Sequence, residues 1–208
     1  MDKFVIEGGK ILKGSIAASG AKNSVLPILA ASIMASGVSV IRNVPHLQDV
    51  STMIRILEYL GAKITFKNET IEIDTSGINR FDAPYEFVKT MRASISLLGP
   101  LVARFGRAQF SLPGGCVIGP RPIDLHIKGL QKLGADIDIE DGYVVASVKN
   151  GLKGNYIFLG GSFGSSVLAT ANVMCAATLA KGTTVIEFAA CEPEIVDLAN
   201  FLVKMGAK

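Results

Sequence analysis

The sequence repeats itself with a nearly fixed period, and a chain built from three similar units has few ways to fold. Three segments end alike: Leu57-Glu-Tyr-Leu-Gly-Ala-Lys63, Leu130-Gln-Lys-Leu-Gly-Ala-Asp136 and Leu202-Val-Lys-Met-Gly-Ala-Lys208. Their glycines, Gly61, Gly134 and Gly206, lie 73 and 72 residues apart. Positions 11, 8, 7, 4 and 1 before each glycine are Val50, Met53, Ile54, Leu57 and Leu60 in the first copy. They are Ile123, His126, Ile127, Leu130 and Leu133 in the second, and Ile195, Leu198, Ala199, Leu202 and Met205 in the third. Those offsets trace one face of an α-helix, and His126 is the single break in the apolar stripe. Asp49, Asp124 and Glu192-Pro193 are suitable helix starts, and the glycines suit a left-handed C-cap.

The frame extends to both sides of these helices. A glycine-opened strand precedes each one: Gly37 to Ile41, Gly106 to Leu112 and Gly182 to Phe188. Before each strand lies an apolar, alanine-rich stretch that predicts a helix, at Pro27 to Ser36, Phe87 to Phe105 and Val167 to Lys181. After the first two copies comes an alternating hairpin, Lys63 to Ile73 and Asp136 to Val148, the second turning at Asp141-Gly142. Each unit reads helix, strand, helix, hairpin, which predicts an α/β or α+β architecture with internal pseudo-symmetry. The third copy reaches Lys208 where its hairpin is due, so the expectation is a domain that continues beyond this chain. One loop departs from the internal template. From strand glycine to the first stripe residue of the helix there are 13 residues in copies one and three and 17 in copy two. The extra residues fall within Pro113 to Pro122, and a loop that outgrows its own copies is where function is expected.

Composition narrows the possibilities. With 208 residues, 49% of them hydrophobic and 19% charged, the chain can bury a core. A net charge of +3 without clustering does not indicate nucleic-acid binding. Cys116, Cys175 and Cys191 are an odd set without a short framework, which speaks against a disulfide scaffold. The apolar stretches Val25 to Ile41 and Val167 to Ala180 are interrupted by polar residues and glycine, and Met1-Asp-Lys-Phe4 does not begin a leader peptide. No membrane association and a cytoplasmic location are therefore expected. There is no P-loop and no nucleophile elbow, and His46 and His126 lack the spacing of metal ligands.

Five places hold residues with chemical potential. Cys116 follows Gly114-Gly115 and precedes Gly119-Pro-Arg121, so it is either an accessible thiol of lowered pKa or a small core residue. Arg121 stands just before the helix start at Asp124, where a guanidinium and free N–H groups can receive an anion. Lys22 and Asn23 precede the first apolar helix in the same manner. Arg92 heads an apolar stretch and needs a ligand or a counter-charge, for which Asp82 and Glu86 are the nearby candidates. Gly160 to Ser166 opens the third copy's first helix with hydroxyls and free N–H groups suited to phosphate or to simple capping.

Taken together these segments resemble a known family. Ser19-Gly-Ala-Lys-Asn23, Met91-Arg-Ala-Ser94, Leu112-Pro-Gly-Gly-Cys116 with Gly119-Pro-Arg-Pro-Ile-Asp124, and Glu192-Pro-Glu-Ile-Val-Asp197 are similar to the enolpyruvyl transferases, in particular to the branch acting on UDP-N-acetylglucosamine. The resemblance covers essentially the whole chain. It implies a two-domain protein in which each domain is an inside-out α/β barrel of threefold repeats. Residues 1–21 would pair into a second domain, absent here, and residues 22–208 would form most of the first. It implies transfer of the enolpyruvyl group of phosphoenolpyruvate to the sugar 3′-hydroxyl in peptidoglycan synthesis, with no metal or organic cofactor. Lys22, Asn23 and Arg121 would hold phosphoenolpyruvate, and Cys116 would donate a proton and be alkylated by fosfomycin. Arg92, Arg121, Pro122, Ile123, Asp124, Leu125, Gly161, Ser162, Phe163 and Gly164 would face the nucleotide sugar. Ser96 and the absence of a lysine before Ser162 depart from many members. The shikimate 3-phosphate branch fits less well, because the fourth residue after Asn23 is Pro27 where that branch carries arginine. A non-catalytic nucleotide-sugar-binding fragment, or one half of a split enzyme, is the other reading.

Overall fold

The three copies are visible as three helix-and-sheet units in the computed structural model, which describes residues 3–83, 85–88, 91–112, 123–162 and 164–208, with backbone alone for Arg92. Copy one comprises α1 (Lys22–Ala31) continued by a 3-10 turn (Ser32–Met34), β1 (Val38–Ile41), α2 (Gln48–Leu60), β2 (Lys63–Lys67) and β3 (Thr70–Asp74). Copy two comprises β4 (Asp82–Ala83), α3 (Tyr85–Val88), a 3-10 segment (Arg92–Leu97) running into α4 (Leu98–Phe105), β5 (Arg107–Ser111), α5 (Asp124–Lys132), β6 (Asp136–Glu140) and β7 (Tyr143–Ser147). Copy three comprises β8 (Tyr156–Phe158), α6 (Val167–Thr178), β9 (Val185–Glu187) and α7 (Pro193–Lys204).

The described strands form three open sheets in the orders β1-β3-β2, β4-β5-β7-β6 and β8-β9, and none of them closes into a barrel. Register repeats between copies. Val38 lies opposite Asp74, and Arg107 opposite Ser147. In both cases the residue after the strand glycine faces the thirteenth residue after the helix-ending glycine. The hairpin turns use left-handed pairs, Asn68-Glu69 with φ of 48° and 56° and Asp141-Gly142 with φ of 47° and 80°. That geometry matches the right-handed twist of the flanking strands. The short strands β4 and β8 pair in parallel with β5 and β9 and carry no alternating signal that sequence reading could detect.

The apolar helices take the middle. Residues Val25 to Ala31 of α1, Leu98 to Val102 of α4 and most of α6 are buried, as a helix without a polar face requires. Helix α6 packs against α1, α4, α5 and α7. The stripes of α2, α5 and α7 turn inward, with Val50, Met53, Leu57, Leu130, Leu198 and Leu202 among the buried residues. Arg104, at the end of α4, donates to the carbonyls of Ile33 at 2.6 Å and Ala35 at 3.0 Å, tying copy two to the end of copy one's first helix. Among the described residues no helix is long and apolar enough to cross a membrane.

Two helix expectations need correction. The first helix starts at Lys22, not Pro27, so Lys22 and Asn23 form its opening turn and Pro27 sits inside it. Proline is tolerated there because only one ladder bond, to Asn23, is lost and dense packing compensates. The single helix expected over Phe87 to Phe105 is broken into α3, the 3-10 segment and α4. Pro100 has no N–H to give to Ser96, and the Gly99 N–H bonds the Asn172 side chain at 2.7 Å instead of the carbonyl four residues back.

The helix-ending glycines all have positive φ: 111° at Gly61, 101° at Gly134 and 109° at Gly206. A Cβ on Gly61 would also collide with the carbonyl oxygen of Gly77, whereas one on Gly134 would meet nothing within 4 Å. Gly134→Ala should thus cost only the left-handed strain, about 1–2 kcal/mol, and Gly61→Ala clearly more. Urea unfolding of both variants checks this; equal losses would show that the Gly77 contact is irrelevant.

Candidate active site

A cavity of about 350 Å³ lies where the first turns of four helices meet. Its wall is made by Lys22, Asn23, Leu26 and Pro27 of α1, Asp49 of α2, Val167 and Leu168 of α6, and Glu194 of α7, with Met91 and Ala93 flanking Arg92. Repetition explains the convergence, since equivalent helices in stacked units point their equivalent ends the same way. No side chain caps α1, α2 or α7, so the free first-turn N–H groups of these helices keep their hydrogen-bonding capacity, although Pro193 at the start of α7 has none to give. Helix α6 is capped by the Ser166 hydroxyl, which accepts from the Ala169 N–H at 3.3 Å. Several positive helix ends aimed at one space favour an anion there.

Side-chain charge is less favourable than the helix ends. Lys22 Nζ is 2.8 Å from Asp49 Oδ2, and Glu194 adds a second carboxylate to the wall. The described lining therefore carries one cation and two anions. A phosphate bound here needs further cations, and it must compete with Asp49 for Lys22. That competition is mild, because the Lys22 and Asp49 side chains are 46% and 33% exposed and such a pair contributes about 0–1 kcal/mol.

A second cluster forms beside the first. Ile123 is the buried N-terminal flank of α5, Asp124 is its exposed first residue, and Leu125 is buried. A Cβ on Gly161 would lie 3.3 Å from Leu125, so α5 and the segment before α6 touch there without room to spare. Gly161 and Gly164 each donate their N–H to the other's carbonyl at 3.0 Å, closing a tight turn that exposes Ser162. Gly164 has φ of 90°, which glycine alone adopts without strain. Neither 123–125 nor 161–164 lines the cavity itself; the link is α6, whose first residues reach the cavity three positions after Gly164.

The sequence expectations thus divide. Lys22 and Asn23 are brought together in the cavity, and Leu125 with Gly161 in the neighbouring cluster. Cys116, Arg121, Pro122 and Phe163 lie outside the described residues, as does the side chain of Arg92. Asp82, one counter-charge considered for Arg92, accepts from the Tyr59 hydroxyl at 2.8 Å. Asp49 and Glu194 were not anticipated as lining residues. Asp49 read only as a helix start, although its place in the first turn of α2 mirrors that of Lys22 in α1. Of the other cysteines, Cys175 is buried and Cys191 exposed. Burial pushes the Cys175 thiol up to about 12, which leaves it unreactive at neutral pH. Among the described residues no group of His, Cys, Asp and Glu could hold a metal ion.

Comparison with known proteins adds a second line. The EPSP synthase (3-phosphoshikimate 1-carboxyvinyltransferase) family profile matches residues 6–208. The chain is 58% identical over all 208 residues to the UDP-N-acetylglucosamine 1-carboxyvinyltransferases of Salmonella paratyphi B and Salmonella newport, and covers 49% of each. It therefore spans about half the length of the curated relatives it matches. Its fold is similar to the enolpyruvyl transferase NikO from Streptomyces tendae, with a TM-score of 0.81 at 23% identity over 97% of this chain and 46% of that one. It is also similar to an EPSP synthase from Acinetobacter baumannii, with a TM-score of 0.67 at 21% identity over 91% of this chain and 43% of that one.

Because the Lys22–Asp49 pair is partly exposed, Lys22→Met should change unfolding stability by less than about 1 kcal/mol. Chemical denaturation of the variant checks this. A loss of several kcal/mol would make Lys22 a structural residue and remove it from the site.

Proposed function

We propose, because this chain belongs to the EPSP synthase family, the enolpyruvyl transferases, that it is the first half of an enzyme transferring enolpyruvate from phosphoenolpyruvate to the 3′-hydroxyl of UDP-N-acetylglucosamine, a cytoplasmic step of peptidoglycan synthesis. The observation that carries this reading is the cavity of converging helix N-termini with Lys22 and Asn23 on its wall. High identity to relatives named for that reaction supports the choice of acceptor over shikimate 3-phosphate.

In the proposed mechanism the sugar hydroxyl adds to C2 of phosphoenolpyruvate while Cys116 protonates C3. The tetrahedral adduct then gives up one C3 proton to a base of the site as phosphate departs from C2, which restores the double bond and leaves the enolpyruvyl ether. Lys22, with Arg121 and the open ends of α1 and α2, neutralises the phosphate and carboxylate; Asn23 orients the same ligand. Arg92, Ile123 to Leu125 and Gly161 to Gly164 face the nucleotide sugar, with Arg121 and Pro122 completing that side. Hydroxyl activation and closure fall to a second domain. Residues 22–208 form the first domain, in the finer reading an inside-out barrel with helices within and sheets without. The segment 1–21 pairs into the second domain; in support, Phe4, Ile6, Ile11, Leu12 and Ile16 are each more than four-fifths exposed, a set of apolar residues that needs a partner.

The test is phosphate release with both substrates. The full-length protein should turn over at rates ordinary for enzymes, roughly 1–1000 per second, and the 208-residue chain should not. Half a cleft cannot exclude water, so its charges act in a high dielectric. In the full-length protein Lys22→Met should raise the KM for phosphoenolpyruvate roughly ten- to a hundredfold and that for the sugar much less. A full-length protein inert with both substrates would defeat the reading.

Fosfomycin supplied with UDP-N-acetylglucosamine should alkylate Cys116, with Cys175 silent because it is buried and protonated. Peptide mapping decides; an adduct confined to the exposed Cys191 would exclude Cys116 as the reactive thiol.

A further inference from the structure

His126 breaks the apolar stripe of its helix, and its counterparts in the other copies, Met53 and Leu198, are apolar and fully buried. His126 is buried as well, at 1% exposure. Its Nδ1 lies 2.7 Å from Nδ2 of Asn172, a residue of α6 with no exposure at all. Two backbone groups fix the orientation of that amide: Oδ1 accepts from the Gly99 N–H at 2.7 Å, and Nδ2 donates to the Ile95 carbonyl at 2.8 Å. The atom facing the imidazole therefore carries the amide's second N–H, and Nδ1 is its acceptor.

Ile95 and Gly99 are four residues apart and would bond each other in a continuous α-helix. The Asn172 amide is inserted between them, and its remaining N–H carries the connection on to α5. One side chain thus joins three segments: the 3-10 stretch headed by Arg92, the first turns of α5, and α6, which follows the Gly161–Gly164 turn. Those are the segments that hold the residues facing the nucleotide sugar in the reading above.

An apolar residue would fill this space equally well, as Met53 and Leu198 do in theirs. The difference is directional. Dispersion contacts tolerate small slides of one helix along another, whereas a hydrogen bond weakens steeply off its axis. Copy two also has the longer connection before its second helix, 17 residues against 13, so its helix start is held less closely by the chain itself.

We propose that His126 is a positioning residue: with Asn172 it fixes the first turn of α5, Ile123 to Leu125, against the Arg92 segment and the Gly161–Gly164 turn, and so sets the wall that receives the nucleotide sugar. The inference rests on the proposed function. It is tested in the full-length protein with His126→Leu, which installs the residue of copy three, and His126→Asn, which returns an acceptor oxygen close to the position of Nδ1. His126→Leu should raise the KM for the nucleotide sugar roughly tenfold or more and leave that for phosphoenolpyruvate within about twofold. His126→Asn should recover most of the loss. If the leucine variant does not fold, His126→Met, the residue of copy one, makes the same comparison.

Unchanged sugar KM in the apolar variant overturns the proposal. So does an equal rise for both substrates, or failure of His126→Asn to rescue. Amide hydrogen exchange in the first turn of α5 gives a reading independent of turnover. It should quicken in the apolar variant and return with asparagine, and no difference overturns the positional claim. A wild type inert with UDP-N-acetylglucosamine would instead defeat the functional reading, and the sugar-wall assignment with it.

Discussion

A helix with no polar face cannot lie on a surface, and this chain has three such stretches. Helices α1, α4 and α6 are apolar around most of their circumference and must be enclosed. Burying each of their large side chains is worth roughly 1.5–3 kcal/mol, far more than any surface ion pair present here. The amphipathic helices α2, α5 and α7 and the three small sheets are the material that encloses them. Their outward positions remain exposed, which is why β2 and β9 alternate between exposed and half-buried residues and β6 and β8 bury only one position.

That enclosure locates the chemistry. Because the copies are equivalent, the first turns of α1, α2, α6 and α7 end up beside one another and line one cavity, and α1, α2 and α7 reach it without a side-chain cap. The helices supply partial positive charge, but Lys22 is already engaged by Asp49, and Glu194 adds another carboxylate. Among the described residues the lining thus holds one cation against two carboxylates. In the proposed reading Arg121 and a second domain across the opening complete the anion site, because a lower dielectric makes each charge count for more.

Function and pseudo-symmetry can be separated by asking where a copy departs from its own template. Copy two lengthens one loop, around Cys116 and Arg121, and replaces an apolar stripe residue by His126. Both departures were readable in the sequence. What the sequence could not show is that His126 meets Asn172, 46 residues away, or that Asn172 interrupts the helix of copy two by taking over the Gly99 and Ile95 backbone groups. Position 172 looked like one polar residue in an otherwise apolar helix, and nothing local reveals its three partners.

The sequence by itself determined the period, the amphipathic helices, their glycine ends, both hairpins, the Asp141-Gly142 turn of the second, and Lys22 and Asn23 as residues near a helix start. All of these depend on neighbours within a few positions, through helical or strand periodicity and the φ preference of glycine. Tertiary structure decided the rest. It set the parallel pairing of β4 with β5 and β8 with β9, the splitting of the Phe87 to Phe105 stretch, the arrival of Asp49 and Glu194 at the cavity, and the contact of Leu125 with Gly161. Each of these depends on groups far apart in the chain, whose meeting is fixed only when the apolar helices are packed together.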